Sequence, residues 1–246
     1  RDAVLPLRDL QAGDDQRRDG GAAHARRPQR RRPQGPGQQA VLEHTQKEWE
    51  QDKFEGPWEV YKDAAGQTIN TIPSEFKNTK GQCLYTERFP REQAGRDATS
   101  YEYRPIDDCT ASGLNPSTGV SEQLRMHGLE TLLACAHEVR DTFSQWGNDG
   151  EPVFAKGDHE KAYRQWAVHP KDHHLLIPLV WSEQIGPNGG YKAYAHRGLP
   201  FGAVRSVWVY TEISQGVCFI LRRVTGVPQL AYVDDFLRVG PRKWAL

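Results

Sequence analysis

The stretch QLAYVDDFLRV (residues 229–239) places two short apolar runs on either side of an Asp-Asp pair. Apolar runs separated by turn-forming residues predict two β-strands, at 229–232 and 236–239, joined by a tight turn. Two carboxylates in such a turn are costly unless a positive charge offsets them. The stretch therefore predicts a pair of strands whose connecting turn holds Asp234 and Asp235.

A strand further upstream ends in another acid. The segment EPVFAKGD (151–158) predicts a buried strand that ends at Asp158. Magnesium commonly takes only one or two carboxylates together with the phosphates of its substrate. One acid from each of two neighbouring strand ends is the geometry that holds two metal ions for in-line phosphoryl transfer. Asp-Asp alone is more often an ordinary turn, and the chain has two other such pairs, at 14–15 and 107–108.

The other predicted elements mix helices and strands without regular βαβ alternation. Predicted helices cover about 38–54, 126–146 and 200–223, and further predicted strands cover 83–90, 100–107, 173–181 and 191–196. Gly56-Pro57 is the stop signal for the first helix. The Gly95 region is expected to join two of the strands as a hairpin. This mixture favours an α+β fold.

The zero net charge of the chain conceals an asymmetry. The 246 residues include 32 Lys+Arg and 32 Asp+Glu, but residues 1–40 alone hold nine Arg against five Asp. The segment Arg17–Gln39 is dominated by Pro, Gly, Gln and Arg and has almost no apolar residues. Such a composition predicts a disordered basic arm over 1–37. An arm of this kind either contacts nucleic acid electrostatically or is a solvated tail, and both interpretations stay open.

Length and composition exclude several classes of protein. The chain is long enough for one large domain or two small ones. It has no uninterrupted apolar run of about 18 residues, so no membrane span or membrane partner is expected. No apolar core follows Arg1, and the four cysteines are scattered without a CxxC pair, which favours an intracellular protein, cytoplasmic or nuclear, with reduced thiols. Because the chain lacks an initiator Met, we expect a fragment.

Four motifs together carry a resemblance to a known family. AYVDDFL (231–237) resembles the Tyr-x-Asp-Asp box of reverse transcriptases, and FAKGDHEKAYRQWAVHPKD (154–172) resembles their first catalytic motif, with its acid at Asp158. GLPFGAVRSVWVY (198–210) resembles their Leu-Pro-Phe-Gly box, and YRPIDDCTASGLN (103–115) is similar to their fingers segment. The four occur in the family's order. The closest likeness is to retrotransposon and pararetrovirus polymerases, in which Phe precedes the Gly.

The resemblance implies a two-metal nucleotidyl transfer. Asp158 and Asp234 match the family's metal ligands, and Asp235 matches the second acid of the box, which assists the metal site or the primer end. The expected cofactor is a pair of Mg²⁺ ions, which Mn²⁺ can replace. In the implied reaction the primer 3′-hydroxyl attacks the α-phosphate of a dNTP and pyrophosphate leaves.

Four further residues receive nucleotide-binding roles from the resemblance, and a fifth receives a primer-binding role. Arg104 matches the fingers Arg that grips the triphosphate, which suits the bidentate guanidinium fork. Tyr163 matches the steric-gate position that selects deoxynucleotides. Phe201 and Gly202 match the segment beneath the nascent base pair, and Tyr232 matches a contact to the primer strand. An ordinary solvated Arg or packed aromatic stays open at these positions.

The resemblance also implies an architecture. It is the α+β polymerase right hand, with fingers and a partial palm, truncated before the thumb. The predicted divisions are the arm at 1–37, a fingers-like and connecting region at 38–150, and a partial palm at 151–246. The implied partners are an RNA or DNA template with its primer, and dNTPs.

The leading interpretation is an active RNA-directed DNA polymerase. The second is a degenerate polymerase-like module that binds nucleic acid or a protein partner without catalysis. Whether a truncated chain is active on its own stays open. A third interpretation is another magnesium-dependent nucleotidyltransferase, or an RNA-directed RNA polymerase with a similar palm. The aromatic ring of Tyr163 argues against an RNA polymerase, which needs room for a 2′-hydroxyl.

Overall fold

Two β-sheets and four α-helices make up the part of the chain that the computed structural model describes, residues 35–95, 97, 100–119 and 124–244. The architecture is α+β, as the mixture of predicted elements indicated. In chain order the elements are α1 (Pro36–Glu50), β1 (Phe54–Lys62), β2 (Thr68–Asn70), β3 (Tyr85–Ala94), β4 (Tyr101–Asp107), α2 (Leu114–Ser117), α3 (Leu129–Phe143), β5 (Pro152–Asp158), β6 (Ile177–Ser182), β7 (Gly190–His196), α4 (Val204–Thr225), β8 (Gln229–Tyr232) and β9 (Asp235–Pro241).

The chain divides into two compact units that are discontinuous in sequence. The first comprises 1–119 with 163–206, and the second comprises 120–162 with 207–246. The predicted fingers-like and palm regions are instead continuous in sequence, and that division stays a prediction. The predicted basic arm falls on residues outside the described ones up to residue 34, and α1 begins at Pro36.

The first unit is built on a six-stranded mixed sheet. Its strands lie in the order β2-β1-β7-β6-β3-β4, with β3 and β6 parallel and the other neighbours antiparallel. Successive side chains of β7 project from opposite faces of the sheet, because side chains alternate along a strand. Ala193 and Ala195 pack with Ile177 on one face, whereas Tyr194 packs with Val41 of α1 on the other. The sheet thus has apolar packing on both faces.

A buried ionic cluster lies in the core of the first unit. Glu48 of α1 accepts a 2.5 Å hydrogen bond from Arg88 and lies 3.0 Å from Arg164 Nε. Burial alone would raise the pKa of Glu48, but a hydrogen bond from His44 and the charges of Arg164 and Arg88 outweigh it and hold the pKa well below its ordinary value. The cluster is compensated internally, as buried charges must be.

The second unit is built on a three-stranded antiparallel sheet. Its strands lie in the order β5-β9-β8, so β9 is the central strand. Helix α3 packs against β5 and β9. Beyond α3, the rings of Phe143, Trp146 and Trp244 meet edge to face, with centroids 4.5–5.8 Å apart. In this sheet the end of β5 lies beside the start of β9, and the acids singled out in the sequence lie at these two positions.

The largest departure from the predicted elements lies at the end of the first helix. Phe54 was predicted to be helical, but α1 ends at Glu50 and Phe54 begins β1. Asp52 adopts a left-handed φ of 62° in the connection. The Phe54 ring packs 5.4 Å from Tyr194 of β7, so pairing with a distant strand determines the conformation here. No helix within the described ranges has the length and apolarity that a membrane crossing requires.

Candidate active site

Three carboxylates are brought together at one end of the second unit's sheet. Asp158 is the last residue of β5 and Asp235 is the first residue of β9, and the two are directly opposite in the antiparallel ladder. Asp234 immediately precedes Asp235, in the turn from β8. The acids that the sequence singled out are therefore neighbours, although Asp158 is distant from the other two along the chain.

The turn that carries Asp234 is tight and strained. Tyr232 pairs with Asp235, so only Val233 and Asp234 form the connection between β8 and β9. Val233 has a φ of 56°, whereas Asp234 is not among the residues with positive φ. A positive φ at the first central residue alone is the pattern of a type II′ turn, which favours Gly there. A β-branched residue in this conformation is an outlier of the kind that accumulates at functional sites.

One face of the sheet presents the acids in a row with an aromatic ring. Asp158 is opposite Asp235, and Asp235 is opposite Tyr232, so the three side chains project from the same face of three adjacent strands. Tyr232 is 53% exposed. An accessible aromatic ring beside clustered carboxylates can contact a ligand that those carboxylates bind.

Lys156 lies on the same face and forms an ion pair with Asp235. Its Nζ atom is 2.9 Å from Asp235 Oδ1. The hydrogen bond to Asp235 and the charge of that carboxylate raise the pKa of Lys156, and the charges of Asp158 and Asp234 add to the effect. No motif in the sequence singled out this lysine. The signal available was its position two residues before Asp158, which places both side chains on one face of a strand.

His159 ties the end of β5 to two other parts of the second unit. Its backbone N–H donates to the carbonyl of Asp234 at 3.3 Å. Its ring Nδ1 is 2.5 Å from the hydroxyl of Tyr210, a fully buried residue of α4. The ring also meets Phe236 edge on, with centroids 6.2 Å apart. His159 therefore helps to fix Asp158 relative to the turn that holds Asp234, a role that no sequence pattern predicted.

In the first unit the structure brings Tyr163 and Phe201 together. Their ring centroids are 4.8 Å apart at an interplanar angle of 75°. Tyr163 is 6% exposed and Phe201 is 38% exposed. Tyr163 is thus a packed aromatic residue, and its assignment as a steric gate stays a prediction.

Gly202 occupies a position that only glycine fits. Its φ is +100°, and a Cβ atom there would lie 2.1 Å from the backbone oxygen of Asp107. Asn115 fastens the same loop, because its Nδ2 donates to the Gly202 carbonyl and its Oδ1 accepts from Val204 N–H, both at 2.9 Å. In the sequence, Asn115 is visible only as the end of the fingers-like segment, with no role of its own.

Arg104 lies on an edge of the first unit's sheet. It is exposed on β4, directly opposite Arg91 of β3. Like charges opposite each other in a ladder are unfavourable, and a bound anion would relieve the repulsion. Its assignment to triphosphate binding stays a prediction.

Within the described part of the chain, no group of three or more His, Cys, Asp or Glu residues is arranged to hold a metal ion by itself. The chemistry of the acids nevertheless fits magnesium, which prefers hard oxygen ligands and completes its coordination with substrate phosphates and water. The ammonium group of Lys156 contacts Asp235, which shows that these acids attract a positive charge.

The chain was compared with protein-family models and with curated proteins. No protein-family model matches the chain, and no curated protein matches it. The functional assignment therefore depends on the geometry of the acids and on the motifs themselves.

Proposed function

We propose that the chain is the fingers and partial palm of a reverse transcriptase-like enzyme and that it belongs to the RNA-directed DNA polymerases. The observation that carries the proposal is the placement of Asp158 opposite Asp235, with Asp234 in the adjoining turn. A pair of strand ends that bears these acids is what two-metal phosphoryl transfer requires. The motifs in family order support the same conclusion.

The three acids would hold the metal ions. Asp158 and Asp234 are assigned as the principal ligands and Asp235 as the assisting acid, all with the hard oxygen donors that magnesium prefers. When bound, magnesium would activate the primer 3′-hydroxyl and stabilise the charge that develops on the phosphate. The protein's own contribution is to hold the carboxylates in place, and His159 supports it through its bonds to Asp234 and Tyr210.

The remaining assignments concern the nucleic acid and the nucleotide. Tyr232 is exposed on the same face as Asp235 and is assigned to the primer strand. Arg104 is assigned to the triphosphate, which an exposed guanidinium with a like-charged neighbour favours. Tyr163, together with Phe201 and Gly202, is assigned to the sugar and the nascent base pair. The partners are a primed RNA or DNA template and dNTPs, in an intracellular setting.

A non-catalytic binding module is the second candidate function. The observation in its favour is the ion pair between Lys156 and Asp235, which occupies a carboxylate that catalysis assigns to metal. On this alternative the chain binds a primed duplex, or a protein partner, but does not extend the primer.

Primer extension distinguishes the two candidates. The purified chain is given an RNA template with an annealed DNA primer, dNTPs and Mg²⁺, beside an Asp234→Asn variant. Asp141→Asn is the matched control, because Asp141 is an exposed acid of the same unit that pairs with Arg140. We expect extension by the wild-type chain and the Asp141 variant, with at least a hundredfold loss in the Asp234 variant, since that acid is assigned to metal.

The outcome that contradicts catalysis is equally clear. If none of the three chains extends the primer and all bind the labelled duplex with similar affinity, the binding module is the better assignment. Equal extension by the Asp234 variant would also refute the proposed site.

A further inference from the structure

Lys156 is placed by the sheet register to reach the acids. It is opposite Leu237 in the β5–β9 ladder, two positions from the Asp158–Asp235 pair. It is therefore a diagonal neighbour of Asp235, at a separation that a long side chain spans. The observed distance of 2.9 Å between Nζ and Oδ1 shows that it does so.

The contact occupies an oxygen atom of Asp235, the acid that is assigned to assist the proposed metal site. A carboxylate oxygen can bind a metal ion and accept a hydrogen bond together, but an ammonium group held there repels a divalent cation and competes with it for the negative charge. The lysine side chain is 61% exposed, so it can swing into solvent without leaving a buried charge unpaired. It is a cation that can be displaced, in contrast to the buried arginines of the first unit.

We propose that Lys156 is an internal competitor for divalent cation at the Asp158–Asp234–Asp235 site. The inference rests on the proposed function, because it takes these acids to be the metal ligands. In the metal-free chain the ammonium group offsets the repulsion between the carboxylates. A divalent cation that binds there repels the ammonium group and displaces it from Asp235, which costs part of the binding free energy and lowers the apparent affinity of the site for metal.

The size of the effect follows from the exposure of the pair. Exposed ion pairs contribute little because water screens them, so their loss changes an equilibrium constant by only a small factor. We expect Lys156→Gln to bind divalent cation roughly twofold to fivefold more tightly than the wild-type chain. Lys156→Arg keeps a positive charge on this face and is expected to stay within about twofold of wild type.

Manganese binding tests the inference without any measurement of activity. MnCl₂ alone is titrated into each full chain, and free Mn²⁺ is followed by electron paramagnetic resonance. Lys62→Gln is the matched control, because it removes the same charge from a lysine that bonds Gly66 and Thr68 in the first unit. Tighter binding by Lys156→Gln, with Lys62→Gln unchanged, supports competition at the acids.

A second measurement follows the lysine itself. The wild-type chain is labelled briefly with an amine-acetylating reagent, with and without MnCl₂, and each lysine is quantified by mass spectrometry. Release from Asp235 is expected to increase the labelling of Lys156 about twofold or more on addition of Mn²⁺, relative to the other lysines. Unchanged labelling at saturating Mn²⁺ overturns the inference.

The results separate this inference from the proposed function. Equal Mn²⁺ affinity in wild type and Lys156→Gln, both weakened by Asp234→Asn, overturns the competition and leaves the metal site standing. Equal tightening by the Lys62 and Lys156 variants also overturns it, since net charge alone would then explain the gain. If no chain binds Mn²⁺, the metal site and the competition are both refuted.

Discussion

Asp158 is directly opposite Asp235 in the antiparallel ladder between β5 and β9. Two like charges at such a pair of positions repel each other, and strand sequences selected for stability alone avoid them. Lys156 offsets part of the repulsion through Asp235. The opposed pair of carboxylates thus lowers the stability of the sheet but favours the binding of a cation. Functional sites often reduce the stability of the fold that carries them in this way.

Replacement of Asp158 by Asn is expected to stabilise the chain slightly. The substitution removes one of the opposed charges and leaves the pair between Lys156 and Asp235 in place, so the free energy of unfolding should rise by about 0.5 kcal/mol. Urea denaturation at low ionic strength measures the change. Glu102→Gln is the control, because Glu102 is an exposed strand acid opposite the neutral Gln93. A loss of stability in Asp158→Asn beyond that of the control would contradict the account.

Gly202→Ala is expected to destabilise the first unit strongly. The new methyl group would meet the Asp107 carbonyl at 2.1 Å, in a left-handed backbone conformation that alanine disfavours. Together these effects should cost about 2–4 kcal/mol. Gly216→Ala is the matched control, because Gly216 lies inside α4 and a methyl group added there would have nothing within 4 Å. That variant should gain about 0.5–1 kcal/mol.

Thermal or urea unfolding of the two glycine variants provides the test. Opposite signs are expected for the same chemical change. A Gly202→Ala chain as stable as wild type would show that the loop is free to move away from Asp107.

Local patterns predicted some elements closely and could not supply others. The strand at 229–232 and the end of β5 at Asp158 follow directly from short apolar runs. The predicted burial of β5 is wrong, because none of its residues is buried and Phe154 is 54% exposed. Strand β1 was missed because Gly56-Pro57 was interpreted only as the stop of the first helix, whereas the strand's conformation depends on pairing with β7, far along the chain. Such pairing overrides local preference.

The candidate site was predictable only in part for a related reason. The Asp pair and the strand-end acid were visible as motifs, and a resemblance linked them. The contacts of Lys156 and His159 depend on the register of β5 against β9 and on the packing of Tyr210, which no local pattern specifies. Asn115 forms hydrogen bonds with Gly202 and Val204, which are far from it in the sequence. No local pattern could predict these bonds either.

The strained turn before Asp234 makes a prediction whose sign is unusual. Val233→Gly and Val233→Ala both remove the same apolar branch, but only glycine relieves the left-handed conformation at a φ of 56°. The glycine variant should therefore be more stable than the alanine variant, by about 1 kcal/mol. Urea denaturation of the two variants at one pH measures the difference.

An ordinary helical position provides the comparison for this turn. At Val217, an exposed residue inside α4, glycine should be less stable than alanine by a similar amount, because glycine loses more entropy in a helix. If alanine were the more stable residue at Val233 as well, the backbone there would not be held in the left-handed region.

The ionic cluster of the first unit predicts a loss of stability in acid. Burial lowers the pKa of His196 to about 4, and the charge of Arg164 acts in the same direction. Between about pH 6.5 and pH 4 the unfolded chain takes up a proton that the folded chain does not. Stability is therefore complete above pH 6.5 and falls as the pH falls through this window, by up to about 3 kcal/mol from His196 alone.

Burial alone would raise the pKa of Asp107, but the charge of Arg88, a hydrogen bond from His196 and the charge of Arg164 outweigh it and hold the pKa below its ordinary value. This carboxylate adds a further loss only as the pH falls below its usual titration range. The window from pH 7 to pH 5 therefore isolates the histidine contribution from that of Asp107. His196→Gln should be less stable than wild type at pH 7, since it disturbs the contact of the ring with Asp107 at 3.0 Å, but its stability should depend less on pH.

Urea denaturation at half-unit steps across this window tests the difference in slope. His137→Gln is the control, because His137 is an exposed histidine of α3 that bonds Arg140. The control should keep the pH dependence of the wild-type chain. If His196→Gln kept it too, His196 would not be the group that the unfolded chain protonates preferentially. A flatter curve for His196→Gln alone would establish that the folded core holds this ring neutral, because the buried guanidinium of Arg164 makes a second positive charge there unfavourable.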